Sequence, residues 1–153
     1  MRGFVLTAGL SAGVLMASGA FAASVANHYE CVGDATAATV YFGPGGAAPS
    51  FRVVNLGLGG PDTTEVTLDR VTSESSAMGR LVTGAYTLIA DADLTFTLII
   101  PTVSIKDEDV SGVEGMLVRT LEGTMPPPSG VTIPGPRQYN DFRAVTCVAS
   151  IVR

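Results

Sequence analysis

Residues 93–101 read Asp93-Leu-Thr-Phe-Thr-Leu-Ile-Ile-Pro101, and large apolar side chains recur in them at every second position. Successive side chains of an extended strand point to opposite faces, so this two-residue period predicts a strand with one wholly apolar face. That face comprises Leu94, Phe96, Leu98 and Ile100. Pro101 cannot donate a ladder hydrogen bond and predicts the end of regular pairing. So large an apolar face requires cover from a second sheet or from the wall of a closed barrel.

Further β-prone runs, separated by Gly and Pro, follow one another at a spacing of roughly ten residues. We predict strands within 29–31, 39–42, 51–58, 64–72, 81–90, 116–121 and 142–152. No window between residues 23 and 153 has convincing helical periodicity. The sequence therefore predicts an all-β domain, an antiparallel β-sandwich or small barrel of about 7–9 strands.

Three details of this interpretation concern single segments. In 51–58, the alternation of Val54 with Leu56 and Leu58 favours one common face for these three residues. The Ser- and Glu-rich segment 73–79 is typical of a polar loop. The runs 81–90 and 94–100 are close enough in sequence to form a hairpin.

The N-terminal segment has the features of a secretory leader. Arg2 is followed by an uncharged run, and Ala20-Phe21-Ala22 has the small-x-small pattern that signal peptidase cleaves. We expect a signal peptide at 1–22 and a single exported domain at 23–153, located in the periplasm or secreted. An uncleaved anchor is the alternative, since residues 3–26 are uncharged and about long enough to span a bilayer.

Cys31 and Cys147 lie near the two ends of the expected mature chain. In an oxidising compartment two such cysteines are expected to pair, and the bridge would join the first strand to the last. Closure of a loop on the order of 100 residues stabilises a fold by roughly 4 to 5 kcal/mol in the entropic treatment. Two buried free thiols are the alternative.

The charge balance narrows the choice of partner. Removal of residues 1–22 from the 153 would leave 131 residues with 8 basic and 14 acidic side chains, a net charge of −6. Nucleic acids and anionic membranes select clusters of Lys and Arg. We therefore expect no nucleic-acid partner, and no membrane contact after leader cleavage.

The sequence lacks residues that the common mechanisms of nucleophilic catalysis require. The one histidine, His28, lies in the expected N-terminal arm 23–28 without a surrounding motif, whereas activation of a Ser, Thr or Cys nucleophile usually requires a histidine base. We predict no catalytic residues and no enzymatic activity. A hydrolase that uses two carboxylates is the less favoured alternative; the candidates are Asp91, Asp93, Asp107, Glu108 and Asp109.

The same acidic residues could collect a calcium ion, because Ca²⁺ takes several oxygen ligands. Their spacing does not match the EF-hand loop with its glycine and terminal glutamate. Asp is also common in turns, so solvated hairpin tips are the favoured interpretation. We predict no metal site and no cofactor.

Segment 123–136 contains five prolines and three glycines and is followed by polar and aromatic side chains. Proline reduces the entropy lost when a loop becomes ordered on binding, and Tyr and Arg are favoured at interfaces. We interpret the segment as a possible contact loop, with a plain spacer as the alternative. Its candidate residues are Pro126, Pro127, Pro128, Arg137 and Tyr139.

These features together predict an exported, non-enzymatic domain that binds an unknown protein or glycan, or that has a structural role in the cell envelope. A second hypothesis is a surface subunit that self-assembles by adding strands edge to edge. The paired-carboxylate hydrolase is the third.

Overall fold

A computed structural model describes residues 23–55, 65–89, 92–123 and 137–153. Within these ranges the chain is almost entirely strand, apart from one short 3-10 turn at Pro44–Gly46. The strands are β1 (Ser24–Val25), β2 (His28–Gly33), β3 (Thr36–Tyr41), β4 (Ser50–Asn55), β5 (Glu65–Thr67), β6 (Asp69–Ser76), β7 (Gly79–Ile89), β8 (Ala92–Ile100), β9 (Ser104–Ile105), β10 (Val110–Gly123) and β11 (Arg137–Ser150).

Nine strands form one antiparallel sheet in the order β5-β4-β3-β2-β11-β10-β8-β7-β6, and β1 pairs separately with β9. The two edge strands, β5 and β6, are consecutive in the chain with only Leu68 between them. The large sheet therefore curls until its edges nearly meet. The all-β antiparallel prediction is confirmed, and the structure decides between sandwich and barrel in favour of a nearly closed barrel.

Leu68 connects the two edges by contacts to both neighbouring strands. Its backbone N–H donates a 2.9 Å hydrogen bond to the carbonyl oxygen of Phe51 in β4. A Cβ atom added to Gly84 in β7 would lie 2.8 Å from the Leu68 Cβ, closer than real Cβ atoms approach. The Leu68 side chain is 4% exposed. Gly84 thus provides the space in which Leu68 packs inside the barrel.

The barrel interior is filled by the alternate side chains of its strands. The predicted apolar face of residues 94–100 is confirmed, since its four even-numbered side chains are at most 4% exposed. The side chains of the other strands that complete this core include Tyr29, Val40, Phe51, Val53, Val82, Leu117 and Val145.

Cys31 and Cys147 stand directly opposite each other in the β2–β11 pair and are joined by a disulfide. Both are at most 1% exposed, so the bridge lies in the core. They are 116 positions apart in sequence, and closing a loop of this order stabilises a fold by roughly 4 to 5 kcal/mol in the entropic treatment. The predicted bridge is confirmed. It joins the last strand to β2, which is preceded in the chain by the two-residue strand β1.

One sequence prediction is wrong, and another lies mainly outside the described residues. Segment 73–79 is not a loop, because β6 continues to Ser76 and only Ala77-Met78 forms a turn. Its polar side chains are exposed because β6 is an edge strand held by its ladder to β7. In β4 the buried residues are Phe51 and Val53, while Val54 is only half-buried. Leu56 and Leu58, the other two residues of the predicted common face, lie outside the described residues, so that face stays a prediction.

The hairpin prediction is confirmed: β7 and β8 pair directly, and β7 runs through Gly84 without a break.

One end of the barrel is covered by the residues that flank β1 and β9, and we name it the capped end. Ala26 N–H donates to the Val103 carbonyl oxygen at 2.9 Å. The buried Tyr29 hydroxyl donates to the Pro101 carbonyl oxygen at 3.3 Å and accepts from Val103 N–H at 3.4 Å. The expected N-terminal arm is thus partly paired. At the opposite, distal end, β4 and β10 finish and β8 and β11 begin.

The two faces of β8 predict different responses to substitution. Phe96 is 4% exposed in the core, whereas the Thr97 hydroxyl lies 3.1 Å from the Thr83 hydroxyl on the outer face. We expect Phe96→Ala to lower the free energy of unfolding by about 3–5 kcal/mol through the cavity it leaves. Thr97→Ala should lower it by about 1 kcal/mol, the net value of one hydrogen bond. Urea denaturation of both variants measures the difference, and equal effects would contradict the face assignment.

Candidate functional site

The predicted contact loop lies mainly outside the described residues. Arg137 and Tyr139 belong to β11, where their backbones pair with Gly123 and Leu121 of β10. The side chains of Arg137 and Tyr139 lie outside the described part of the structure. The remaining members of the prediction, which lie outside the described residues altogether, are Pro126, Pro127 and Pro128. Contact through this segment stays a prediction.

His28 is in β2 and connects it to β11. Its Nδ1 lies 3.0 Å from the Ser150 hydroxyl oxygen, and its Nε2 lies 3.8 Å from a Glu30 carboxylate oxygen. The arrangement of Ser150, His28 and Glu30 resembles a catalytic triad. The 3.8 Å between His28 Nε2 and the Glu30 carboxylate is, however, too long for the hydrogen bond that would orient the imidazole. Glu30 is also 66% exposed in its side chain. The geometry favours a cross-strand contact rather than a nucleophilic site.

At the distal end, three charged residues occupy inward-facing positions of β10 and β11; we name them the Arg–Asp–Arg cluster. Arg119 and Asp141 are directly opposite in the ladder, and Arg119 Nη2 lies 2.9 Å from Asp141 Oδ2. Arg143 Nε donates to the same oxygen at 2.8 Å. A second donor of Arg143, Nη1, binds the backbone carbonyl oxygen of Asp34 at 2.8 Å. The cluster therefore joins β10, β11 and the turn after β2.

The electrostatics of the cluster follow from its two cations. The pKa of the Asp141 carboxyl is lowered, chiefly by the hydrogen bond from Arg143. The positive charges of Arg143 and Arg119 lower it further, while desolvation acts in the opposite direction. Asp141 is thus ionised at neutral pH. Two guanidinium groups and one carboxylate give the cluster a net charge of +1.

The cluster lines a cavity of about 10 Å³. A cavity of roughly 10–15 Å³ holds about one water molecule. The described residues that complete its wall are Ala35, Thr36, Val54, Phe96 and Leu117.

The outer face of the sheet carries an apolar row across four adjacent strands. Met116 of β10 stands opposite Ala144 of β11 on one side and opposite Ile99 of β8 on the other. Ile99 in turn stands opposite Leu81 of β7. We name these four residues the outer apolar row. Cross-strand neighbours on one face are in contact distance, so the row is continuous.

A groove of about 300 Å³ lies beside this row, toward the capped end; we name it the methionine groove. Met78, in the turn between β6 and β7, is 85% exposed, and Met116 is 43% exposed. A single charged side chain, Glu114, is found among the described residues that line it. The lining consists of Met78, Ile99, Ile100, Pro101, Glu114, Gly115 and Met116. Phe142 and Val32, each 64% exposed, add apolar area elsewhere on the outer face.

The sequence patterns predict neither the Arg–Asp–Arg cluster nor the methionine groove. Arg119 and Asp141 meet only through the β10–β11 register, and no short motif marks them. Met78 lies in segment 73–79, whose sequence predicts a polar loop. The alternation of β10 around Met116 was the one available signal for an outward methionine.

Comparison of the chain with protein-family models, with curated proteins and with solved structures finds no match. Among the described residues, no helix is long and apolar enough to cross a membrane.

The lowered pKa of Asp141 predicts an acid-dependent part of the stability. A carboxyl whose folded pKa lies below its ordinary value of 3.8 stabilises the fold above that value. This contribution is lost as the pH falls through the folded pKa. We expect Asp141→Asn to reduce stability at pH 7 by about 1–3 kcal/mol, since it removes a charged acceptor from two arginines. The variant should also lose less stability than the wild type between pH 5 and acid pH.

Thermal denaturation across that pH range measures both effects. Glu65→Gln is the control, because the Arg52–Glu65 pair is 3.2 Å apart but nearly half-exposed on both sides. Exposed pairs contribute about 0–1 kcal/mol. Identical pH profiles for wild type and Asp141→Asn would contradict the assigned role of Asp141.

Proposed function

We propose that this chain is an exported, non-enzymatic binding domain, and that a partner protein docks on its outer face at the methionine groove. The observation that carries the proposal is the exposure of Met78 and Met116, 85% and 43%, beside a groove of about 300 Å³. Contiguous exposed apolar area on a soluble domain is typical of an interaction site. Methionine side chains adapt to the shape of a bound apolar group.

The composition of the groove favours a protein over a glycan. Among its described lining residues there is no aromatic ring and only one charged group, Glu114. A partner that inserts an apolar side chain would find a lining of methionine, isoleucine and proline. Glu114 and the net charge of −6 of the expected mature chain favour basic residues around that side chain.

The sheet edges favour this proposal over self-assembly by strand addition. β5 has only three residues, and the β6 edge is exposed and carries Asp69, Arg70 and Glu74. Short edges and charged edge residues are devices by which proteins prevent edge-to-edge pairing. The outer face is thus better suited to contact than the edges are.

Export is supported by the leader pattern of residues 1–22 and by the buried disulfide between Cys31 and Cys147. Disulfides persist in the periplasm and outside the cell and are rare in reducing compartments. We propose the periplasm or the secreted fraction as the location.

The test uses the mature chain, beginning at Ala23, as bait in an extract of the native host's periplasm and culture medium. We expect Met116→Asp to reduce recovery of the specifically bound protein at least tenfold, because the new carboxylate would be desolvated at the contact. Val152→Asp is the matched control, since Val152 is 45% exposed outside the groove. Circular dichroism confirms that each variant is folded.

Equal recovery by the wild type and by Met116→Asp would contradict the proposal. A further variant replaces residues 124–136 by a short Gly/Ser linker. If that variant alone loses the partner, the contact lies at the predicted proline-rich segment and not at the groove.

A further inference from the structure

Strand β8 ends before its neighbour β10 does, and this leaves one side of β10 open. Toward the capped end, the β8–β10 ladder stops at the pair formed by Ile99 and Met116, whereas β10 itself extends to Val110. The stretch Val110–Gly115 is paired with β11 on one side and with no described strand on the other. Unpaired N–H and C=O groups along a strand are a template for the addition of another strand.

The chain that leaves β8 does not close this gap. The continued register would place Pro101 opposite Glu114, and proline has no N–H to donate. The Pro101 carbonyl oxygen accepts instead from the buried Tyr29 hydroxyl at 3.3 Å. The N–H of Val103 donates to the same hydroxyl, and the Val103 carbonyl oxygen accepts from Ala26 N–H. These groups of the departing chain thus hold the capped end together and are turned away from β10.

The methionine groove lies where β8 would continue. Its wall includes Glu114 and Gly115 of β10 on one side and Met78, in the turn before β7, on the other. Ile100 and Pro101, at the end of β8, form its floor toward the rest of the sheet. Because β7 and β10 flank β8 on its two sides, the place that β8 vacates has the width of one strand. The groove therefore coincides with a missing length of strand.

The groove wall indicates the chemistry of a segment that would fill this place. An apolar side chain on its outer side would contact Met78 and Met116, which are 85% and 43% exposed. Glu114, the single charged side chain among the described lining residues, favours a lysine or arginine opposite it, because opposite charges on neighbouring strands attract. The net charge of −6 of the expected mature chain acts in the same direction. The bulge between Val110 and Val113 interrupts the regular ladder, so the segment is short.

We propose that the partner binds by strand addition, with a short extended segment in the place that β8 vacates. The backbone of this segment pairs with β10 at Val113–Gly115. One apolar side chain packs against Met78 and Met116, and a lysine or arginine lies opposite Glu114. Backbone pairing supplies affinity in such complexes, and the side-chain contacts supply specificity. The inference rests on the proposed function and specifies the partner's bound conformation; it uses an internal gap of the sheet and not the outer edges β5 and β6.

The experiment selects ligands for the mature protein from a library of random linear peptides displayed on phage. Peptides that also bind Met116→Asp are discarded, and Met78→Asp, at a more exposed turn position, replaces that variant if it fails to fold. A selected peptide is then synthesised unmodified and with N-methyl groups on every second residue, in each of the two possible frames. An added strand donates to its neighbour from alternate residues only. We expect methylation in one frame to weaken binding at least tenfold in calorimetric titration, and methylation in the other frame to have little effect.

Charge reversal tests the predicted basic residue. Glu114→Lys should weaken binding of the selected peptide severalfold. Glu30→Lys is the matched control, because its side chain is 66% exposed on β2, outside the groove, and should leave the affinity nearly unchanged. Equal loss in both methylated frames, or loss in neither, would overturn strand addition and leave docking at the groove intact. A library without any groove-dependent peptide would also overturn it, whereas the proposed function itself is decided separately by recovery of the native partner with Met116→Asp.

Discussion

The fold depends on one constraint of topology: the two edge strands of the nine-stranded sheet, β5 and β6, are consecutive in the chain, with only Leu68 between them. The Leu68 N–H donates to Phe51 of β4 and the Leu68 side chain lies over Gly84 of β7, so this residue contacts both strands that neighbour the edges. Closure gives the inward side chains of every strand a common interior and leaves little edge for foreign strands. The Cys31–Cys147 bridge then secures the middle of the same sheet by joining β2 to β11.

Sequence patterns predict the parts of this fold that depend on local alternation. The apolar face of residues 94–100 follows from a two-residue period, and the cysteine pair follows from the expected compartment. The choice between sandwich and barrel could not be predicted, because it depends on the strand order that puts the consecutive strands β5 and β6 at the two edges, and no local pattern encodes that order. The sequence of the edge strand β6 predicts a loop because an edge strand need not bury its side chains.

The candidate sites were less predictable than the fold, since each is assembled by register across strands. Arg119 meets Asp141 only because β10 and β11 pair with one particular alignment, and Arg143 follows two residues later on the same face. The methionine groove likewise requires Met78 in a turn beside Met116 in a distant strand. The two sites lie toward opposite ends of the barrel. A closed sheet can thus present an apolar contact surface outside and a charged cavity inside without conflict between them.

Native-state hydrogen exchange at the Leu68 amide tests the closure most directly. The Leu68 N–H continues the β4–β5 ladder through its bond to Phe51, so it should exchange only when β5 separates from β4 and the barrel opens at that edge. The account predicts protection of this amide comparable to that of Cys147 in the centre of the sheet. Exchange as fast as that of the exposed turn amide of Ala77 would contradict it, because β5 would then be detached from β4 and the sheet open at that edge.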